Sequence, residues 1–499
     1  MTFPNPQLNG FHPDPSVVKA GDWYYLATSS FEYLPGIPIH RSRDFVDWEL
    51  IGHVATRHEQ LGVADVATGG GAWAPTIRFH DGVFHLVITV AMGRGMLHFT
   101  ASDPSGPWSE GDVILDATGA GSVDGIDPDI AWADDGACYI TYSGLILSGE
   151  GVGEHLGIQQ VRVDLERHIA LEEPRSLWSG SGFMFPEAPH LYRHGDDWYL
   201  MIAEGGTERG HGISIARGPS PEGPFAPSSS NPLVSARSTA RPVQNTGHGD
   251  LVEGPDGEWL CVLLGVRPRS ATRAFSALGR ETFVTPARWR EDGWLEIDPV
   301  ELAPRSGDRV EIDFSGDLDG EWIAVRRAPA DIAERTASGL VVRGDGQTLD
   351  AARPAFVGRR QEHLTNAVTV ALSPVTGVGG LAVRYDEEFH VELEVGGGLV
   401  TARAVVPSLR QEWTIPYDGG SVSLRIASRQ RRGGGFGTLR DEFVLSASVG
   451  GAEFAELARV DGRYLSSETA ESFTGRVIGL YAVDGEITAT GWVAEGHDD

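Results

Sequence analysis

The stretch WAPTIRFHDGVFHLVIT, residues 73–89, decides the fold. A proline follows the tryptophan by two positions, and an isoleucine follows the proline by two. An Asp-Gly pair then leads into a run that is apolar almost throughout. Asp-Gly between two runs of this kind is a strong hairpin signal. One hairpin says little by itself, so the informative question is whether the pattern recurs.

It does. Turn-then-strand segments stand at GDWYYLATS around Tyr24, DGVFHLVIT around Phe84, DGACYITYS around Cys138, DDWYLMIAE around Tyr199 and DGEWLCVLL around Trp259, spaced 60, 54, 61 and 60 residues apart. Upstream of each lies a second element: DPSVV from Asp14, WAPTI from Trp73, DPDIA from Asp127, EAPHL from Glu187 and HGDLV from His248. The first four carry a proline followed two residues later by Val, Ile or Leu, and the fifth has Gly249 in the proline's place. Five such units predict an all-β fold that begins with a five-bladed β-propeller, each blade a small sheet around a central channel. Equivalent positions of successive blades face one axial point. Asp14, Trp73, Asp127, Glu187 and His248 occupy nearly equivalent positions and are expected to meet at one mouth of the channel. A turn or capping role would repeat one residue type; the types here differ, as the members of a site do.

The bulk numbers fit a large soluble β protein and exclude several functions. The chain has 499 residues, 65 glycines, 29 prolines and a net charge of −30. That length exceeds a single core. So acidic a surface repels phosphate backbones, which argues against nucleic-acid partners. Lys19 is the single lysine, and no phosphate-binding loop ends in Gly-Lys-Ser or Gly-Lys-Thr. Cys138 and Cys261 lie far apart in apolar runs and read as buried, reduced thiols. The N-terminal MTFPNPQLNGFHPDPS has neither a basic nor an apolar signal region, and no apolar run approaches membrane-spanning length, so the expectation is a cytoplasmic chain with no membrane partner.

The blade pattern stops near residue 305, dividing the chain into 1–305 and 306–499. Beyond it, GLAVRYDEEFHVELEV, LVTARAVV, VSLRIAS, EFVLSASV and RVIGLYAV alternate polar and apolar residues between Gly-rich turns. Strict alternation predicts an antiparallel β-sandwich. The run RQRRGGGFG, 429–437, reads as a solvated turn.

Three carboxylates and aromatic residues at one mouth suit glycoside hydrolysis. One carboxyl protonates the leaving oxygen and another activates water or attacks the sugar. A third raises the acid's pKa by like-charge repulsion. No Gly-x-Ser-x-Gly elbow and no His-Glu-x-x-His zinc helix competes. A glycan-binding propeller without catalysis is the alternative from another class; it has little use for three converging acids.

The segments GFHPDPS, GGAWAPTIRFHDG, GIDPDI, PEAPHLY, NTGHGDLVEGPDGEW and LGRETFVTPARW together resemble glycoside hydrolase family 43, and within it the two-domain β-xylosidase and α-L-arabinofuranosidase group. The resemblance implies an inverting exo-enzyme, a concanavalin-like sandwich over the site, and an oligosaccharide substrate. Its first implied activity is release of non-reducing-end β-D-xylose, with α-L-arabinofuranose or both sugars as the alternative. Asp14 matches the general base, Asp127 the acid that tunes and orients, and Glu187 the general acid. Arg280 matches an arginine on substrate hydroxyls. Phe31 and Trp73 match aromatic walls of the sugar subsite. His248 matches a histidine under the channel centre that binds water or a metal, so a structural Ca²⁺ held through water is one expectation; no cofactor is required for the chemistry. Phe473, in ESFTGR, matches a lid aromatic from the second domain. A homo-oligomer is compatible with the sequence. Two departures stand out. Relatives carry Glu-Gly-Pro where this chain has EAP, and some carry a tryptophan where it reads TYSGLILSGEGVGEHLG.

Overall fold

The computed structural model describes residues 3–147, 149–270, 274–432 and 439–498. The stretch 429–437 therefore lies outside the described residues from 433 onward. Five antiparallel sheets form the propeller. Blade one runs Ser16–Ala20, Trp23–Ala27, Gly36–Ser42 and Glu49–Ala55 from the channel outward. The other blades begin with Thr76–His80, Ile126–Trp132, Glu187–His194 and Gln244–Glu253. Each of these pairs with the apolar strand read from the sequence: Val83–Ala91, Cys138–Leu145, Asp197–Glu204 and Trp259–Val266.

Each seam between blades carries its own apolar cluster. Tyr25, Ile39, Ile77 and Leu86 join blades one and two, and Val87, Met96, Ile130 and Ile140 join two and three. Ile158, Trp178, Leu191 and Leu200 join three and four. Ile213, Ile215, Leu251 and Leu263 join four and five, and Val17, Leu26, Val262 and Val284 close the ring. A fully buried Leu or Ile contributes about 1.5–3 kcal/mol, so every seam carries a sizeable term. The N-terminal segment locks the closure: Asn5 Nδ2 donates to the Val284 carbonyl at 2.7 Å and Val284 N donates to Asn5 Oδ1 at 2.9 Å. Both cysteines are free and buried.

The second domain is a sandwich of two eight-stranded antiparallel sheets. Its strands alternate as read; Thr365–Leu372 buries every second residue. One sheet borrows a strand from the propeller. Tyr33–Leu34 leaves blade one and pairs with Ile323–Val325. Around this join Phe11, Phe31, Tyr33, Ile323, Phe356 and Tyr481 form a separate core between the domains. The aromatic residue expected at the sugar subsite, Phe31, is therefore held by the weld itself. Among the described residues no helix is long and apolar enough to cross a membrane.

Candidate active site

With the prolines aligned, the five ring positions are not all equivalent. Asp14 and Asp127 directly precede a proline and His248 precedes Gly249, whereas Trp73 and Glu187 stand one residue earlier. The backbone follows the proline register. Asp14 (φ 56°), Asp127 (φ 52°), Ala188 (φ 51°) and His248 (φ 47°) are all left-handed. Strand pairing slips beside them, between Ile126 and Asp129, Glu187 and His190, and Gly247 and Gly249. A bulge of this kind re-aims a side chain into a site. In blades two and four the ring place belongs to Ala74 and Ala188, and the functional side chain comes from the residue before. Left-handed backbone costs an L-residue about 1–2 kcal/mol, and such strain collects at functional sites. The departure at EAP falls on a strained position, which is why glycine suits it.

All eight singled-out residues line one pocket of about 380 Å³: Asp14, Phe31, Trp73, Asp127, Glu187, His248, Arg280 and Phe473. Asp14 Oδ1 accepts from Arg280 Nη1 at 2.9 Å, and its Oδ2 accepts from Ser29 Oγ at 2.6 Å. His248 Nδ1 stands 3.5 Å from Asp14 Oδ1. Arg280 also donates to Thr207 Oγ1 at 3.0 Å and to the Phe473 carbonyl at 3.4 Å. Asp127 Oδ2 accepts from Ala188 N at 3.2 Å, which ties one acid to the backbone that carries the next. Glu281, the neighbour of Arg280, pairs instead with Arg267.

This arrangement splits the three acids electrostatically. Burial pushes Asp14 upward, but Arg280, His248 and the Ser29 hydroxyl outweigh it and hold Asp14 below the usual carboxylate range. Asp127 is pushed up to about 7 by burial and by the charge on Asp14. Burial, then Asp127 and Asp14, drive Glu187 well above an ordinary glutamate, and Arg280 opposes them. One acid is ready to accept a proton while another holds one. Environments that push neighbouring carboxyls apart mark acid and base roles.

The lid comes from the second domain. Phe473 stacks against Phe31, centroids 6.3 Å apart at 16°, and meets Trp73 edge-on at 5.6 Å. Its loop lies flat on the segment Gly279–Arg280 that leads into the propeller strand Glu281–Trp289. A Cβ on Gly279 (φ 79°) would come within 2.6 Å of the Thr474 carbonyl oxygen, so only glycine permits that approach. Tyr385 Oη anchors the same carbonyl at 2.8 Å.

Sequence reading missed the layer beneath. Arg78 reaches into the channel, donating to Asp250 at 2.7 Å and to Asp129 at 2.9 Å. Tyr192 Oη and Ser16 Oγ also donate to Asp250, at 2.6 and 2.8 Å. Hard cations want free oxygen ligands, and here one guanidinium already bonds to both carboxylates of that layer. Around His248 this donor set suits the arginine that is present better than Ca²⁺. Ser29 and Thr207 were missed as well; Ser29 closes the segment GDWYYLATS, two residues beyond the strand Trp23–Ala27, on the alternation that places Ala27.

Comparison with known proteins bears on the family and the fold. Residues 3–295 match the model for "Glycosyl hydrolases family 43", and residues 311–494 match the "Beta xylosidase C-terminal Concanavalin A-like domain". The chain is 34% identical over 514 residues to "Non-reducing end alpha-L-arabinofuranosidase BoGH43B" of Bacteroides ovatus, covering 96% of this chain and 91% of that one. It is 34% identical to "Xylosidase/arabinosidase 43B" of Humicola insolens, over 96% and 94%. Among solved structures, a xylan β-1,4-xylosidase from Bacillus halodurans superposes with a TM-score of 0.88 at 28% identity, covering 99% and 100%. The chain belongs to glycoside hydrolase family 43 and is a glycoside hydrolase of two domains, a five-bladed propeller and a concanavalin-like sandwich.

Proposed function

We propose that the protein is an inverting exo-glycosidase that removes one non-reducing-end pentose, β-D-xylose, from short xylo-oligosaccharides. The observation that carries this reading is the pocket itself: three acids under an aromatic cover of Phe31, Trp73 and Phe473. With Phe473 stacked on Phe31 and set edge-on to Trp73, the cover suits one terminal sugar ring rather than a polymer passing through. Glu187, holding its proton, protonates the glycosidic oxygen. Asp14, ionised, takes a proton from a water that attacks the anomeric carbon from the opposite face. Asp127, buried beside Glu187, keeps the two carboxyls from ionising together and orients the site through Ala188 N. Arg280 holds Asp14 ionised and reaches sugar hydroxyls, while Phe31, Trp73 and Phe473 cover the ring's apolar faces.

The second reading is α-L-arabinofuranose by the same mechanism. Its support is specific: both relatives aligned along nearly the whole chain carry arabinofuranosidase or arabinosidase in their names. Initial rates on aryl β-D-xyloside and aryl α-L-arabinofuranoside, side by side, decide between them; cleavage of neither overturns the pentose assignment. Full turnover in Glu187→Ala would sink the role given to that residue. Proton NMR of the first-formed anomer tests inversion, and retention refutes it.

A further inference from the structure

His211 lies just before the strand Gly212–Gly218 and is 1% exposed. Its Nδ1 is 3.0 Å from the carbonyl oxygen of Asn245. A carbonyl only accepts, so Nδ1 carries the hydrogen and donates it. The lone pair of the neutral ring is then on Nε2. That nitrogen is buried, has no hydrogen-bond partner among the described residues, and stands 3.9 Å from Glu187 Oε1. Two backbone features hold the ring there. Asn245 is left-handed (φ 55°) at the bulge that begins its strand. Gly247 lies flat against the imidazole, where a Cβ would come within 2.5 Å of the ring.

We infer that His211 is a positioning residue for the general acid: its fixed Nε2 lone pair accepts from the protonated Glu187 carboxyl and repels the carboxylate, so it keeps the proton in place. The inference rests on the reading of Glu187 as the acid. Burial pushes the His211 ring down to about 4, so it stays neutral across the working range and cannot pair with Glu187 as a cation. The other groups acting on Glu187 are Asp127 and Asp14, which raise its proton affinity, and Arg280, which lowers it. Those facing His211 are Arg280, Asp14 and His248. The carboxylates act through space; His211 acts at one oxygen. In the free enzyme a turn of the Glu187 carboxyl closes 3.9 Å to bonding distance, and the same O–H then swings to the glycosidic oxygen when substrate is bound.

The variant His211→Asn isolates the effect, because its amide nitrogen can take the place of Nδ1 and still donate to Asn245 while nothing replaces Nε2. The basic limb of the kcat/KM profile is expected to move to lower pH by about one unit. The loss should fall on kcat rather than KM. It should be larger for alkyl or sugar leaving groups, which need an acid, than for a dinitrophenyl glycoside, which does not. His211→Gln, whose amide oxygen reaches toward the position of Nε2, should restore part of the limb. A basic limb that stays in place in His211→Asn, or a rate loss equal across leaving groups, overturns the inference and leaves His211 a packing residue. Should His211→Asn not fold, infrared spectroscopy of the wild type decides. The protonated Glu187 carbonyl stretch, identified by its absence in Glu187→Gln, should be present at neutral pH and report a hydrogen-bonded acid. An ionised carboxylate, or an acid with no acceptor, overturns the inference. This measurement needs no turnover, so it stands apart from failure of the pentose assignment.

Discussion

Replacing Arg280 by Met tests how the site divides its protons. The guanidinium Nη1 lies 2.9 Å from Asp14 Oδ1, and both side chains are buried. At an effective dielectric constant of about 20, unit charges at that separation interact by about 332/(20 × 2.9), or about 6 kcal/mol, equal to about four pKa units. Ser29 and His248 remain on Asp14, and water admitted by the shorter side chain screens the rest, so about one to three units is the expected rise. Arg280 is also the group that opposes the upward shift of Glu187. Both limbs of the bell-shaped kcat/KM profile should therefore move toward higher pH together. The assay is kcat/KM against pH on whichever aryl glycoside the wild type cleaves. An acidic limb that stays in place would mean that Arg280 does not hold Asp14 ionised. A rise in the acidic limb with a fall in the basic limb would mean that the charge on Glu187 is set by something other than this cluster.

The remaining predictions concern the channel, the lid and the strained backbone. Asp250→Asn should destabilise the fold by about 1.5–3 kcal/mol in urea, because the buried bonds that the carboxylate accepts from Arg78, Ser16, Val17 N and Tyr192 lose their charge assistance. Burial pushes Asp250 up, but Arg78 and its neighbours win and depress it below 3.8. Its contribution is thus complete above that unfolded value and lost as pH falls through the lower folded one, so the gap between variant and wild type should close in acid; a gap constant with pH refutes this. Phe473→Ala should raise KM about threefold to tenfold with a smaller change in kcat, the size of one aromatic contact; an unchanged KM would mean that the lid does not touch sugar. Ala188→Gly should raise stability by about 1 kcal/mol by relieving the left-handed strain, without loss of activity; thermal unfolding checks the first part and kcat the second.

The fold was readable because a propeller repeats its signals. Proline, apolar pair, Asp-Gly turn and apolar strand recur, and each recurrence confirms the phase of the last. The same redundancy made Asp14, Asp127 and Glu187 readable, since a residue that differs at a repeated place stands out. Phe473 and Arg280 were reached only through resemblance: the lid is a contact between residues 193 positions apart, and nothing local in ESFTGR or LGRETF points across that distance.

Arg78 shows where reading by motif fails and what would repair it. In RFH it looks like one more exposed strand residue, while its partners Asp129 and Asp250 stand 51 and 172 residues away. Yet the aligned prolines already contained the answer. The residue after each proline or its substitute is Ser16, Thr76, Asp129, His190 and Asp250. That is a second differentiated ring, one step deeper in the channel than the first. It carries two carboxylates at a depth where a charge must be paired. A cation from a neighbouring strand was therefore required, and Arg78, two residues beyond Thr76 on the same side of its strand, is placed to supply it. The first ring could be found by asking which residues differ; the second is found by asking which charges would otherwise be buried alone.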